Sequence, residues 1–424
     1  MSRLKSFLPQ SIFDFTYLFS SNIFKKILGF FRELILAFVF GSSIIYANYI
    51  LLKTITDFLS QFTFGNALQA NLLPKFTSLY EKHKNLNLNR VYKFSKRIGL
   101  LIFVISFLVQ LIIIFFVINQ HFLILIFTAL ILSLILSTNF LNSIFLTIIQ
   151  SKGEFKKFSI ATSLNILIAT IFVYPFSFFL SILGTAISRL IGVFSLTFLY
   201  VKPLLSYKNG YEVKINSSDF NFSVLIIGNI SLFILLFGRF IIGLNGSNDI
   251  THFNYSFVLL NIFLTAFIFN INTLLLRKIS SKQSSQTFFI SLIITSIISA
   301  FLYLIVNNFS VELIDVIYKR GAFNTNDVYD TAYFLEELMP SYIVLMFTSL
   351  LFQPFFSLGI KNNSNIAAKF LLILFIVFIL FVLFFYINNL LYVAASLLFI
   401  KVMSITALLL SIFSYIFFLR HEVQ

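Results

Sequence analysis

Of 424 residues none is Cys and none is Trp, 6 are Pro and 14 are Gly, and charged residues make up only 11%. Without cysteine there are no structural disulfides, no thiolate-ligated zinc and no thiol nucleophile. A water-soluble globular chain averages about 25% charged residues, so a charge this sparse cannot cover a soluble fold. What is present instead is 59% hydrophobic residues, 60 of all residues being Phe. That is the composition of a polytopic, all-α membrane protein. At about 20 apolar residues per helix plus a short connection, a chain of this length holds roughly twelve spans and leaves no large soluble domain. The abundant Phe, Ile, Asn and Lys fit an AT-rich coding background, which lowers the weight of any single Phe or Lys.

Apolar runs fall at about 11–40, 44–73, 98–119, 121–149, 158–181, 184–205, 220–244, 252–276, 286–307, 336–358, 366–388 and 390–418. Arg3 and Lys5 lead into no small-residue cleavage site, so no removable signal peptide is expected. The formal charge of +15 would suggest nucleic acid on a soluble protein, but here the basic residues mark topology. The connection after span two holds Lys75, Lys82, Lys84, Arg90, Lys93, Lys96 and Arg97. Those after spans four, six and eight hold Lys152, Lys156 and Lys157; Lys202, Lys208 and Lys214; and Arg277, Lys278 and Lys282. Odd-numbered connections are nearly uncharged except 308–335, where Glu312, Asp315, Asp327 and Asp330, with Glu336 and Glu337 just beyond, outnumber Lys319 and Arg320. The positive-inside rule then places both termini in the cytoplasm. Segment 75–97 reads as a solvated anchor or as a connector lying on anionic headgroups. The stretch 202–219 reads as the link between two six-helix lobes, 1–210 and 211–424. A faint echo fits that division: Arg32, Phe40-Gly-Ser-Ser43 and Asn48-Tyr49 against Arg239, Asn245-Gly-Ser247 and Asn254-Tyr255. Transporters are often built from such repeats.

Charges inside spans are costly and normally face a bundle interior or a wet cavity. Span one contains Asn22, Lys25, Lys26, Gly29, Arg32 and Glu33, which at about 100° per residue share an arc of roughly 120°. In span two Lys53, Asp57, Ser60 and Gln61 cluster within roughly 100°, and Lys53 and Asp57 are an i, i+4 pair. Two readings fit. Lys25 and Lys26 mark a helix end by snorkelling while Arg32–Glu33 and Lys53–Asp57 are structural pairs, or the surplus of cations over acids holds an anion. Arg189 and Arg239 are the other intramembrane arginines, and Arg239 stands where the echo sets it against Arg32. Lys369 and Lys401 read as snorkelling anchors.

Catalytic constellations are scarce. His83 and His421 fall in cytoplasmic segments and His121 and His252 on the other side, with no metal-ligand spacing. No phosphate-cradling Gly-rich loop follows a strand, so no metal and no cofactor are expected. The acids of 308–337 keep a membrane enzyme acting on lipid-linked sugars open.

Several stretches together resemble a known family. Lys26-Ile-Leu-Gly-Phe-Phe-Arg32-Glu33, followed by Ala37, Phe40 and Gly41, resembles the first-helix signature of the MviN/MurJ lipid II flippases of the multidrug/oligosaccharidyl-lipid/polysaccharide exporter superfamily. Phe64 to Ala67 and Pro74 resemble the end of that family's second helix. Tyr318-Lys-Arg-Gly-Ala-Phe323 with Thr325 and Asp327 resembles its outward-loop motif, and Gln150-Ser-Lys-Gly-Glu-Phe155 with Leu164-Asn165 its connection from helix four to five. Family members commonly have fourteen helices, and twelve are expected here. The resemblance implies two lobes around a central cationic cavity, rocking between inward- and outward-open states, with basic residues on the pyrophosphate of an undecaprenyl-linked glycan. Lys26 and Arg32 match two first-helix arginines. The family's second-helix Arg falls near Ser60, its eighth-helix Arg near Ser256, the acid opening its second helix near Ala47 or Asn48, and a sodium-binding seventh-helix Asp near Phe237.

The expected protein is therefore a non-enzymatic, monomeric flippase of the bacterial inner membrane. Its partners are membrane lipids and a lipid-linked glycan on undecaprenyl pyrophosphate, lipid II of peptidoglycan synthesis, and not nucleic acid. Lys25, Lys26, Arg32, Lys53 and Arg239 are the candidate diphosphate ligands; Gly29, Glu33, Asp57, Arg320 and Gly321 are candidate structural or gating residues. An O-antigen or capsule-type flippase and a non-transporting scaffold that binds lipid intermediates fit the same residues.

Overall fold

A computed structural model describes residues 10–63, 66–83, 85–118, 121–205, 210–215, 226–263, 284–352, 368–380 and 392–422. They are almost wholly helical. Six helical stretches are long and apolar enough to cross a membrane: Asn89–Phe116, Phe122–Ser151, Phe155–Leu204, Phe288–Tyr318, Thr325–Leu351 and Tyr392–Ile416. Ile230–Gly243 and Ala368–Leu380 are shorter apolar helices. The chain is a polytopic, all-α membrane protein, divided into two compact units, 1–39 with 55–221 and 40–54 with 222–424.

The first unit takes in most of α1 (Gln10–Phe40), the end of α2 (Ile44–Thr63), α3 (Asn66–Lys82), α4 (Asn89–Phe116) and α5 (Phe122–Ser151). The helical stretch Phe155–Leu196 follows and folds back at Ser181, whose φ of 54° and ψ of −140° break the helix. Its arms, 155–180 (α6) and 182–196 (α7), run antiparallel. A Cβ on Gly184 would lie 1.8 Å from the Phe176 carbonyl oxygen and one on Gly192 2.4 Å from that of Asn165, so glycine sits where the two backbones touch. The Ser177 and Thr185 hydroxyls, 2.8 Å apart, close the tip. Spans five and six are thus separate, as the sequence pattern has them.

Helix α4 turns Leu100, Leu101, Phe115 and Phe116 outward, as a lipid-facing surface must. Its inner face is polar. Buried Gln110 donates to Ser106 Oγ (2.9 Å) and, on α5, to Ser133 Oγ (3.0 Å). Two basic connections are tied together by a parallel bridge, β1 (Leu86–Asn87) to β2 (Tyr211–Glu212). His83 stacks on Tyr211 at 4.1 Å, and Arg90 pairs with Glu212. Beneath them Leu86, Leu88 and Val213 pack on Phe145 and Ile149 of α5. At the α5–α6 turn, where Gly153 has φ +76°, Lys152 Nζ lies 5.1 Å from the centre of the Tyr80 ring. Burial pushes the Lys152 ammonium pKa down and, with Glu154 nearby, the Tyr80 phenol up.

The second unit holds α8 (Ile230–Gly243), α9 (Asp249–Phe263), α10 (Ser284–Tyr318), α11 (Thr325–Leu351), α12 (Ala368–Leu380) and α13 (Tyr392–Glu422). Helix α11 packs against α9, α10 and α13, and α8 against α9 and α13. Ser396 of α13 donates to the Gly238 carbonyl at 2.8 Å. Residues 40–54 belong here too. Leu51 meets Gly243, whose own Cβ would sit 2.6 Å from the Leu51 Cδ1.

One expectation needs correction. The acidic connection at 308–335 is mostly helix, since α10 kinks at Phe309 (φ −136°) yet continues to Tyr318. Helix α11 begins at Thr325 behind a capping box in which Asn324 and Asp327 satisfy each other's backbone N–H groups. Only 319–324 is loop.

Candidate functional site

The sequence singles out the charged face of α1, and in the first unit that face is built against α6. Ser21 Oγ donates to the Ser159 carbonyl (3.1 Å) and lies 3.0 Å from Ser163 Oγ. Further along, Thr170 donates to the Leu28 carbonyl at 3.4 Å. Between these contacts Lys25 Nζ donates to Thr162 Oγ1 at 3.3 Å. Glu33 is buried and takes a guanidinium NH of Arg32 at 3.2 Å, while the Arg32 side chain keeps 18% of its surface. Lys25 and Lys26 are half-buried. Three cations against one acid leave a net charge of +2 within about 12 Å of helix length. A Cβ on Gly29, between them, would meet nothing within 4 Å. This strip can hold a multiply charged anion.

Near the end of α2, Asp57 lies 3.9 Å from the Arg189 guanidinium of α7. Ser60 donates back to the Asp57 carbonyl at 2.6 Å. Thus Ser60 bonds back within its own helix where the family resemblance would place an arginine.

In the second unit Lys53 is buried. Arg239 is 1% exposed; its Nε donates to Thr54 Oγ1 (2.8 Å), an NH to Asn254 Oδ1 (2.7 Å), and its guanidinium carbon lies 5.1 Å from the Phe257 ring centre. The arginine therefore ties α8 to α2 and α9. Ser256 donates to the Thr331 carbonyl at 2.7 Å. Phe237 sits 4.3 Å from the Phe375 ring and 5.4 Å from Phe399, so aromatic rings fill the place where the resemblance would put a sodium-binding Asp.

Two motifs far apart in sequence meet in this unit. Gly41 has φ +53°, and a Cβ on it would lie 2.3 Å from the Ala322 carbonyl oxygen. Tyr255 donates its hydroxyl to the Gly41 carbonyl at 2.8 Å, and its ring packs on Tyr318 (5.1 Å), Phe323 (5.4 Å) and Tyr46 (6.1 Å). Ser42 bonds Asp327. The buried members of the 318–323 motif, Tyr318 and Phe323, are thus a clasp on the start of α2. Gly321 makes the turn with φ +62°. Arg320 is exposed and donates to the Val316 carbonyl at 3.2 Å.

Sequence reading missed other polar contacts of this unit. Lys401 is not a plain anchor, because its Nζ contacts Glu337 at 2.7 Å. The sequence puts His252 and the acids Asp327 and Asp330 on the same side of the membrane without bringing them together, as the structure does at 4.0 and 3.8 Å.

No protein-family model matches the sequence, and no curated protein does. Solved structures do match. A lipid II flippase MurJ in an inward closed conformation superposes with a TM-score of 0.75 at 21% identity, covering 94% of this chain and 87% of that one. A multidrug-resistance MATE family transporter of the MOP superfamily in an inward-facing conformation gives 0.59 at 13% identity, covering 96% and 94%. A MATE in complex with MaD3S gives 0.61 at 14% identity, covering 96% and 95%. The likeness expected from the motifs is thus met in the fold, and this chain has the architecture of the MurJ and MATE membrane transporters.

Proposed function

We propose that the chain is a flippase that moves an undecaprenyl-pyrophosphate-linked glycan across the bacterial inner membrane by alternating access. That lipid-linked glycan is lipid II of peptidoglycan synthesis. In this reading a monomer carries twelve spans in two six-helix lobes, with both termini in the cytoplasm. The diphosphate is held by Lys25, Lys26 and Arg32 on α1. The observation that carries the reading is that strip of net charge +2, set on a membrane helix and held in place by α6. In a low-dielectric site each cation attracts a phosphate oxygen far more strongly than in water. The two lysines act as point charges and Arg32 as a planar fork. The fold similarity to a lipid II flippase supports it.

Arg239, with its bonds to Thr54 and Asn254, we assign to positioning α2, and Lys53 remains a candidate ligand to be tested beside it. Replacing Arg32 by Ala should abolish growth rescue of a lipid II flippase-depleted strain while the protein inserts at wild-type levels. Normal rescue would contradict the site.

A second reading rests on Ser60, Ser256 and Phe237, which stand where the resembling family carries charge. Fewer charges at these positions suit another lipid-linked oligosaccharide, of the O-antigen or capsule type. Glycosyltransferase genes beside this one would favour it.

A further inference from the structure

His252 lies in the first turn of α9 and is 1% exposed. Its Nδ1 is 3.1 Å from Thr331 Oγ1, and its buried Nε2 has no hydrogen-bond partner. That nitrogen is aimed at two carboxylates of α11, Asp330 Oδ2 at 3.8 Å and Asp327 Oδ1 at 4.0 Å. The two acids differ in access. Asp327 is 5% exposed, and accepts from the Asn324 backbone N–H at 2.8 Å and from Ser42. The Asp330 side chain is 64% exposed and reaches solvent.

Charged groups on His252's own and neighbouring elements have their own partners. Asp249, three residues earlier on α9, accepts from Ser247 at 2.7 Å. Lys319 is paired with Asp315 at 2.6 Å, and Arg320 bonds the Val316 carbonyl. Arg239 of α8 holds Asn254, which at two residues on points to the far side of α9.

With one ring proton the imidazole is badly served here. A bare Nε2 lone pair would face two carboxylates, and an Nε2–H without an acceptor is a buried unsatisfied donor. A second proton makes both ring nitrogens donors and sets a cation between two anions. A gap near 4 Å is also one that a small movement or a bridging water closes.

We propose that His252, Asp327 and Asp330 form a proton-binding site that receives its proton from solvent through Asp330. When loaded, the imidazolium draws the first turn of α9 onto that of α11. Through Asp327 it also reaches Ser42, at the start of α2. The proton passes from water to the Asp330 carboxylate and on to Nε2, and leaves by the reverse path. The site lies wholly within the second unit and does not depend on which cargo the protein carries.

The test uses the full-length protein in nanodiscs with nitrogen-15 in its four histidines. Imidazole resonances are followed from about pH 4.5 to 8.5, the range in which His titrates. His252→Gln identifies the signal. The expected result is that the His252 ring becomes imidazolium as pH falls, and that Asp330→Asn lowers its midpoint by about one pH unit while the other three rings stay put. Should His252→Gln fail to fold, the single ring that moves in Asp330→Asn, a change at an exposed position, supplies the assignment. A His252 ring that stays neutral throughout, or a midpoint unmoved by Asp330→Asn, overturns the proposal.

Discussion

Arg32 on α1 and Arg239 on α8 occupy matching places in the internal echo, yet their surroundings differ. Arg239 is 1% exposed, with Nε on Thr54, an NH on Asn254 and a ring face at 5.1 Å. Arg32 keeps 18% of its side-chain surface, shares an NH with Glu33, and has Lys25 and Lys26 on the same helix. A guanidinium enclosed by neutral acceptors organises the helices around it. One left partly open beside two other cations repels its neighbours unless an anion arrives. On the proposed function, the same residue type serves packing in one unit and anion binding in the other.

Substitutions should separate the two roles. The largest functional effect is expected for Arg32→Ala, with loss of transport and a thermal unfolding curve shifted by about 1 kcal/mol in stability, since the buried Glu33 loses this partner. Arg239→Ala should do the reverse. Opening a cavity and leaving Asn254 Oδ1 without its donor costs about 3 kcal/mol, read as a lower melting temperature in detergent. Gly41→Ala should cost about 2 kcal/mol by the same measurement, because it puts a Cβ on a left-handed backbone against the Ala322 carbonyl. Lys26→Gln, which removes one point charge, should weaken diphosphate binding about tenfold and leave the melting curve unchanged. Asp57→Asn should be felt least, at under about 1 kcal/mol, since its partner Arg189 is 3.9 Å away and both side chains are partly exposed. If Arg32→Ala and Arg239→Ala both lowered stability alike, the contrast would fail.

Much of this was legible in sequence because the signals are local. The apolar runs overlap the six helical stretches long enough to cross a membrane, and the hairpin reversal near 181 falls at the break between the runs 158–181 and 184–205. The polar arc of α1 follows from helical spacing alone. What sequence does not carry is which distant groups meet. Ser42 bonds Asp327 across 285 positions, and Arg239 reaches back 185 positions to Thr54. The bridge of Leu86–Asn87 to Tyr211–Glu212 is too short for any alternation to announce it. Lys401 looks like an anchor until its contact with Glu337 is seen. The acidic connection reads as a loop because its charges fall on helix turns at the exposed Glu312 and the half-buried Asp315, where charge and helix coexist.

Binding of undecaprenyl pyrophosphate to the purified protein, read by native mass spectrometry, tests the division of labour most directly. Wild type and Arg239→Lys, which keeps the charge but not the fork, should both carry the lipid when folded, and the Lys25→Gln, Lys26→Gln, Arg32→Ala triple variant should carry none. Wild-type occupancy in that triple variant would contradict the account.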